Sequence, residues 1–108
     1  MMVSTFSLGC MRFLPPKANE EQMAAVVHRA VELGINHIET ARGYGPSEQL
    51  LGRVMPTLPR ESLYMTTKIG PTETEEEMWR YINESLERMQ LTWIDNFDYH
   101  GINNHDLL

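Results

Sequence analysis

The chain has 108 residues, a mass of 12.5 kDa and a net charge of −6, which is the length of one ordinary domain. Its 42% hydrophobic and 22% charged residues exclude a disordered chain, no apolar run approaches the roughly 18 residues of a membrane span, and a single cysteine, Cys10, excludes an internal disulfide framework and suits a reducing compartment. Residues 1–72 hold seven basic and six acidic residues and residues 73–108 hold two and nine; the acidity is local, and without a basic patch nucleic-acid binding is excluded.

The first eleven residues carry no charge. A secretory signal wants a basic start and a longer apolar stretch, and Ser7-Leu8-Gly9-Cys10 is too near the start for a lipoprotein site, so a cytoplasmic protein is expected. Phe6 to Phe13 reads as a strand stopped by Pro15-Pro16. Asn19 caps a helix, with Gln22 as its capping-box partner, and Met23, Val26, Val27, Ala30 and Val31 form its apolar stripe. Gly34 ends that helix. Ile35 to Ala41 is a second strand, and Arg42-Gly43-Tyr44-Gly45-Pro46 a loop. Ser47 is expected to cap a short helix carrying Leu50, Leu51 and Val54, closed by Pro56 and Pro59. Leu63 to Ile69 is a third strand, broken by Gly70-Pro71. Thr72 or Thr74 caps a third helix, and Glu73, Glu75, Glu76 and Glu77 form its solvated first turn. Met78, Ile82, Leu86 and Met89 are its predicted buried stripe, with Trp79 beside it. Trp93 to Tyr99 is a fourth strand. Asn103 to Leu108 reads as the start of a fourth helix.

Alternating strands and helices predict a parallel sheet made of crossover units. Such a sheet is either open and doubly wound or part of a barrel, and periodicity does not decide between them. No Gly-x-Gly-x-x-Gly turn follows the first strand, which weakens the nucleotide-binding open sheet. In both architectures function gathers beyond the carboxyl ends of the strands. There the sequence places Glu39 and then Tyr44 after strand two, Lys68 at the end of strand three, and His100 after strand four. A phenol, with its ordinary pKa of about 10, is a poor acid at neutral pH. A neighbouring ammonium makes it a better one, a carboxylate holds that ammonium, and a histidine can orient a substrate oxygen. Together they can protonate a carbonyl oxygen, provided that a cofactor brings the hydride, since no side chain donates one. Taken singly, Tyr44 can pack over a turn, Lys68 can reach solvent, His100 can be a core histidine and Glu39 a plain salt-bridge residue. His100 and His105 have no metal-site spacing, and no metal is expected.

These residues carry a resemblance. Gly34-Ile35-Asn36-His37-Ile38-Glu39-Thr40-Ala41, then Gly43-Tyr44-Gly45, Ser47-Glu48, Leu51 and Gly52, resemble the aldo-keto reductase signature. Thr67-Lys68 is similar to that family's third-strand lysine. Ser85-Leu86 through Asp95, with His100 five residues later, is similar to its fourth-strand segment. The resemblance implies a (β/α)8 TIM barrel, of which residues 1–108 would supply about three βα units and strand four, truncated at the C-terminus. It implies NAD(P)H-dependent reduction of an aldehyde or ketone, with Tyr44 as general acid/base, Lys68 as its partner, His100 as substrate orienter and Glu39 as the carboxylate of the tetrad. The family's usual residue at that last position is aspartate. Gly9, Cys10 and Met11 would line the nicotinamide side, or Gly9 and Cys10 would simply pack in the barrel floor. Most of the NADP(H) site would lie beyond residue 108, in later strands. Tyr99-His100-Gly101-Ile102-Asn103 with Glu39 is similar to bacterial members bearing an extra iron-sulfur segment, and this chain has no cysteine cluster. The alternative function is a nicotinamide-sensing regulatory subunit of the same fold with little turnover. A closed barrel usually needs roughly 250 residues, so the 108 residues alone are expected to hold the acid–base groups but not the grip on the cofactor.

Overall fold

The computed structural model describes residues 1–13 and 19–101. The Pro15-Pro16 stop, the fourth-helix start over Asn103 to Leu108, and His105 lie outside the described residues. Four strands, β1 (Ser7–Gly9), β2 (His37–Glu39), β3 (Tyr64–Ile69) and β4 (Asn96–Tyr99), alternate with α1 (Glu20–Glu32), α2 (Ser47–Val54) and α3 (Glu75–Met89). Two 3-10 turns, Met55–Thr57 and Arg60–Ser62, connect α2 to β3. The strands pair in parallel in the order β1-β2-β3-β4. Consecutive order without a reversal contains no switch point of the doubly wound kind.

Local chemistry sets the helix ends. The Gln22 amide donates to Asn19 Oδ1 at 2.7 Å and the Asn19 amide to Gln22 Oε1 at 3.4 Å, so the expected capping box is present. Gly34 follows α1 at φ 92°, a left-handed position that glycine adopts without strain. Of the two candidates for α3, Thr74 is the cap, its hydroxyl accepting from the Glu77 amide at 3.1 Å. Ser47 departs from expectation: Pro46 takes the cap position of α2, no side chain caps it, and the Ser47 hydroxyl turns inward to Thr40 and Cys10.

The core lies between one face of the sheet and the helices. It joins Met23 and Val27 of α1 to Leu50, Leu51 and Val54 of α2, over Ile38 and Met65 of the sheet. Val26 is half-exposed, because it lies about 60° around the helix from Met23, at the margin of the buried stripe. The α3 stripe is likewise only partly covered. Met89 is buried, whereas Met78, Ile82 and Leu86 are half-buried. Met78 and Ile82 border a groove shared with Ile69, Phe97 and Tyr99 beside β4. Among the described residues no helix is long and apolar enough to cross a membrane.

Candidate active site

Strand parity decides which side chains meet. Successive residues point to opposite faces, so Ile38, Met65 and Thr67 go to the helices while Glu39, Thr66 and Lys68 go to the other face. Register then puts Gly9 beside Glu39, and Lys68 beside Asp98. After β2 the chain continues along β3: the Thr40 amide donates to the Thr66 carbonyl at 2.9 Å and the Arg42 amide to that of Lys68 at 3.0 Å. A turn closed by the Tyr44 amide on the Ala41 carbonyl at 3.1 Å then returns Tyr44 over the sheet end.

All four predicted catalytic residues converge there. Lys68 Nζ donates to Tyr44 Oη at 3.1 Å and to the Thr40 carbonyl at 3.4 Å, and it closes an ion pair with Glu39. His100 is placed by its amide, which donates to the Ile69 carbonyl at 2.8 Å. Its ring stands edge-on to that of Tyr44, with centroids 5.3 Å apart at 90°. The longer glutamate therefore still reaches the lysine. Burial holds the Lys68 ammonium below its usual pKa, and the negative charge of Asp98 on the neighbouring strand pulls it partly back. Asp98 in turn accepts from Asn96 Nδ2 at 2.9 Å.

Gly9, which ends β1, and Cys10 and Met11, which follow it, separate. Gly9 and Met11 are exposed, Gly9 on the same face as Glu39. The Cys10 side chain is fully buried in the core, and burial pushes its thiol up to about 12, which leaves an inert, protonated sulfur. Arg42 points away from the tetrad to α3, pairing with Glu84 at 2.8 Å and stacking on Tyr81 at 4.3 Å. A concavity of about 520 Å³ lies at the opposite end of the sheet, between the 3-10 turns and the segment before β4; parallel α/β proteins do not use that end for chemistry.

Sequence reasoning missed two residues beside the tetrad. Asp98 was read as part of a strand, and its placement next to Lys68 follows only from the β3–β4 register. Glu48, quoted only as part of a motif, is 1% exposed and receives Thr67 Oγ1 at 2.7 Å and Arg88 Nη1 at 3.3 Å. Its spacing was the available signal: Glu48 lies three and four residues before the buried Leu51 and Gly52, on the inward face of α2, whereas Gln49 and Arg53 face outward.

Comparisons with known proteins agree with this fold. Residues 5–105 match the Aldo/keto reductase family. The chain is 31% identical over 86 residues to the methylglyoxal reductase DkgA of Salmonella typhimurium, covering 78% of this chain and 30% of that protein. It is 36% identical over 92 residues to the L-galactose dehydrogenase of Arabidopsis thaliana, covering 77% and 29%. A Pseudomonas aeruginosa structure assigned to the aldo-keto reductases superposes with a TM-score of 0.87 at 28% identity, over 97% of this chain and 44% of that one. The chain thus spans less than a third of these curated relatives. A match over nearly the whole chain and a shared parallel sheet lead to one conclusion: the chain belongs to the aldo/keto reductase family, and its strands and helices are the N-terminal part of that family's TIM barrel.

Proposed function

We propose that this chain carries the acid–base half of a site at which the full-length protein reduces a small aldehyde or ketone to an alcohol with NAD(P)H. The observation that carries this reading is Lys68, whose ammonium donates to Tyr44 Oη at 3.1 Å while paired with Glu39. Tyr44 Oη gives its proton to the carbonyl oxygen. The oxygen it leaves behind is negative, and Lys68 stands in hydrogen-bond contact to stabilise it. Glu39 holds Lys68 against the sheet, so its charge is aimed rather than mobile. His100, edge-on to Tyr44, presents a ring nitrogen that can bond the same substrate oxygen and fix its distance from the phenol.

A nicotinamide cofactor, when bound, supplies the hydride. The residues present fit a flat ring beside Glu39. Gly9 lacks a side chain there and is exposed, with its nearest neighbour Glu39 Oε2 lying 3.7 Å from where a Cβ would stand. Gly9 and exposed Met11 would line that ring, while Cys10 offers only its backbone. The phosphate and adenosine ends are assigned to strands beyond residue 108, in keeping with relatives about three times as long. The reach of Glu39 to Lys68 favours this reading over a nicotinamide-sensing subunit.

The test is Tyr44→Phe in the full-length protein, followed by loss of NADPH absorbance with a panel of aldehydes. Removing one general acid is expected to lower kcat by about 10²- to 10⁴-fold, with NADPH binding retained. Unchanged turnover in the variant overturns the assignment of Tyr44. A wild-type protein that binds NADPH and reduces no aldehyde or ketone supports the sensing subunit instead.

A further inference from the structure

We infer that Glu48 is a positioning residue for the Tyr44–Lys68 pair, clamping the first turn of α2 to strand β3 from the helix side of the sheet. The inference rests on the catalytic reading of Tyr44 and Lys68 given above.

Glu48 is a charged side chain that is only 1% exposed. Each of its carboxylate oxygens has its own partner on a different element. Oε1 accepts from Thr67 Oγ1 of β3 at 2.7 Å, and Oε2 pairs with Arg88 Nη1 of α3 at 3.3 Å. Burying a paired charge adds little net stability compared with an apolar side chain of the same volume. What two directional bonds do add is fixed geometry.

The two elements being fixed are the ones that carry the chemistry. Thr67 immediately precedes Lys68 and points to the opposite face of the strand. Pinning Thr67 on the helix side therefore sets the pleat that aims Lys68 on the other side. Glu48 is the second residue of α2, and Ser47 just before it donates its amide to the Tyr44 carbonyl at 3.1 Å. Fixing that first turn fixes the C-terminal end of the Tyr44 loop. A second tie runs parallel to the first. Ser47 Oγ and Thr40 Oγ1 lie 2.7 Å apart, and Ser47 Oγ donates to the Cys10 carbonyl at 3.1 Å. Thr40 is also the residue whose carbonyl Lys68 touches. The clamp never reaches the reacting atoms, yet it joins both ends of the 3.1 Å contact between Lys68 and Tyr44. A displacement of about 1 Å in such a contact lowers rate on the order of 100-fold.

The experiment uses the full-length protein with Glu48→Gln, which keeps an acceptor for Thr67 but loses the charge held by Arg88, and Thr67→Val, which removes the donor from the strand side. Both are assayed at temperatures below their melting midpoints, alone and in a Lys68→Met background. A positioning role predicts a fall in kcat on the order of 10-fold, with KM for the carbonyl substrate within about twofold of wild type. It also predicts that neither change lowers kcat further once Lys68 is absent, because the geometry being held no longer matters. A merely structural role would lower the melting midpoint and apply the same factor to kcat in both backgrounds, and that result overturns the inference. So does wild-type kcat in both single variants. If one variant fails to fold, the other decides alone. Should Lys68→Met itself retain wild-type turnover, the catalytic reading fails and takes this inference with it; a strong effect of Lys68→Met without any effect of the clamp variants overturns the clamp only.

Discussion

The two faces of these four strands are built on opposite principles. On the helix side Ile38 and Met65 are fully buried, and Leu8 packs against the same core. On the other side the residues hydrogen-bond to one another. Ser7 Oγ meets His37 Nδ1 at 2.7 Å, His37 Nε2 meets Thr66 Oγ1 at 2.9 Å, and Lys68 holds Glu39 and Tyr44. Barrel interiors are usually filled by branched apolar side chains. Apolar burial stabilises in proportion to area, whereas paired charges withdrawn from water contribute little net stability. The helix side therefore holds the fold, and the inner side is arranged for chemistry. Substitutions among the apolar residues of the first should change stability, those on the second should change pH behaviour and rate, and the Glu48–Thr67 tie is the place where the helix side reaches through to the second.

The largest expected effect falls on the helix side. Gly52 of α2 lies so close to α3 that a Cβ there would stand 2.0 Å from the Arg88 carbonyl oxygen and 3.2 Å from Met89 Cα. Both are backbone atoms and cannot swing aside, so Gly52→Ala must part the two helices. Overpacking of this kind is expected to cost about 3 kcal/mol, read as a lower midpoint in urea. An unchanged midpoint would mean that the helix layer is loose, and the contrast between the faces would then fail on its stable side.

Two kinds of residue were legible, those whose partners lie within one helical turn and those at strand ends. The Asn19–Gln22 box spans three residues, and a helix start dictates both bonds. The convergence of Tyr44, Lys68 and His100 was legible because each falls at or just after the end of a strand, and parallel sheets bring strand ends together. Ser47 misled because its type and position fit a cap, while the buried Thr40 hydroxyl seven residues away claimed its side chain. The place of Arg42 could not be read either, since its partner Glu84 is forty-two residues further on. The partial exposure of Met78 and Ile82 was hidden too, because helical spacing identifies an apolar stripe but not what covers it.

On the inner face the next effect is smaller and is one of charge alone. Asp98 stands across from Lys68 in register and raises the affinity of its ammonium for the proton, against the burial that lowers it. Asp98→Asn removes only the raising influence. The Lys68 titration is then expected to move to lower pH, and with it the alkaline limb of kcat/KM in the full-length protein. The urea midpoint at neutral pH should change little. A limb that stays in place or moves upward would show that Asp98 does not act on Lys68, and a large stability loss would show that the inner face holds the fold after all.

The smallest effect belongs to neither face and marks where the contrast ends. Glu77 sits in the first turn of α3 on the outside of the molecule, accepting from the Glu73 amide at 2.9 Å and the Tyr81 hydroxyl at 3.0 Å. The Glu73 amide first, then the Tyr81 hydroxyl and the Arg80 charge, hold its carboxyl below the ordinary 4.5. A carboxylate with a depressed pKa in the folded state binds its proton more readily once unfolded. Its contribution is therefore present above pH 4.5 and is lost as the pH falls through the folded value. Glu77→Gln cannot titrate, so its urea stability should fall less steeply than wild type through this acid range. The two curves should lie furthest apart near neutrality, with wild type the more stable, and draw together at low pH. Parallel curves would mean that the exposed bonds to Glu73 and Tyr81 are replaced by water at no cost. Turnover should change little in either case, because Glu77 stands several contacts from the reacting atoms: its partner Tyr81 stacks on Arg42, whose backbone amide bonds the Lys68 carbonyl.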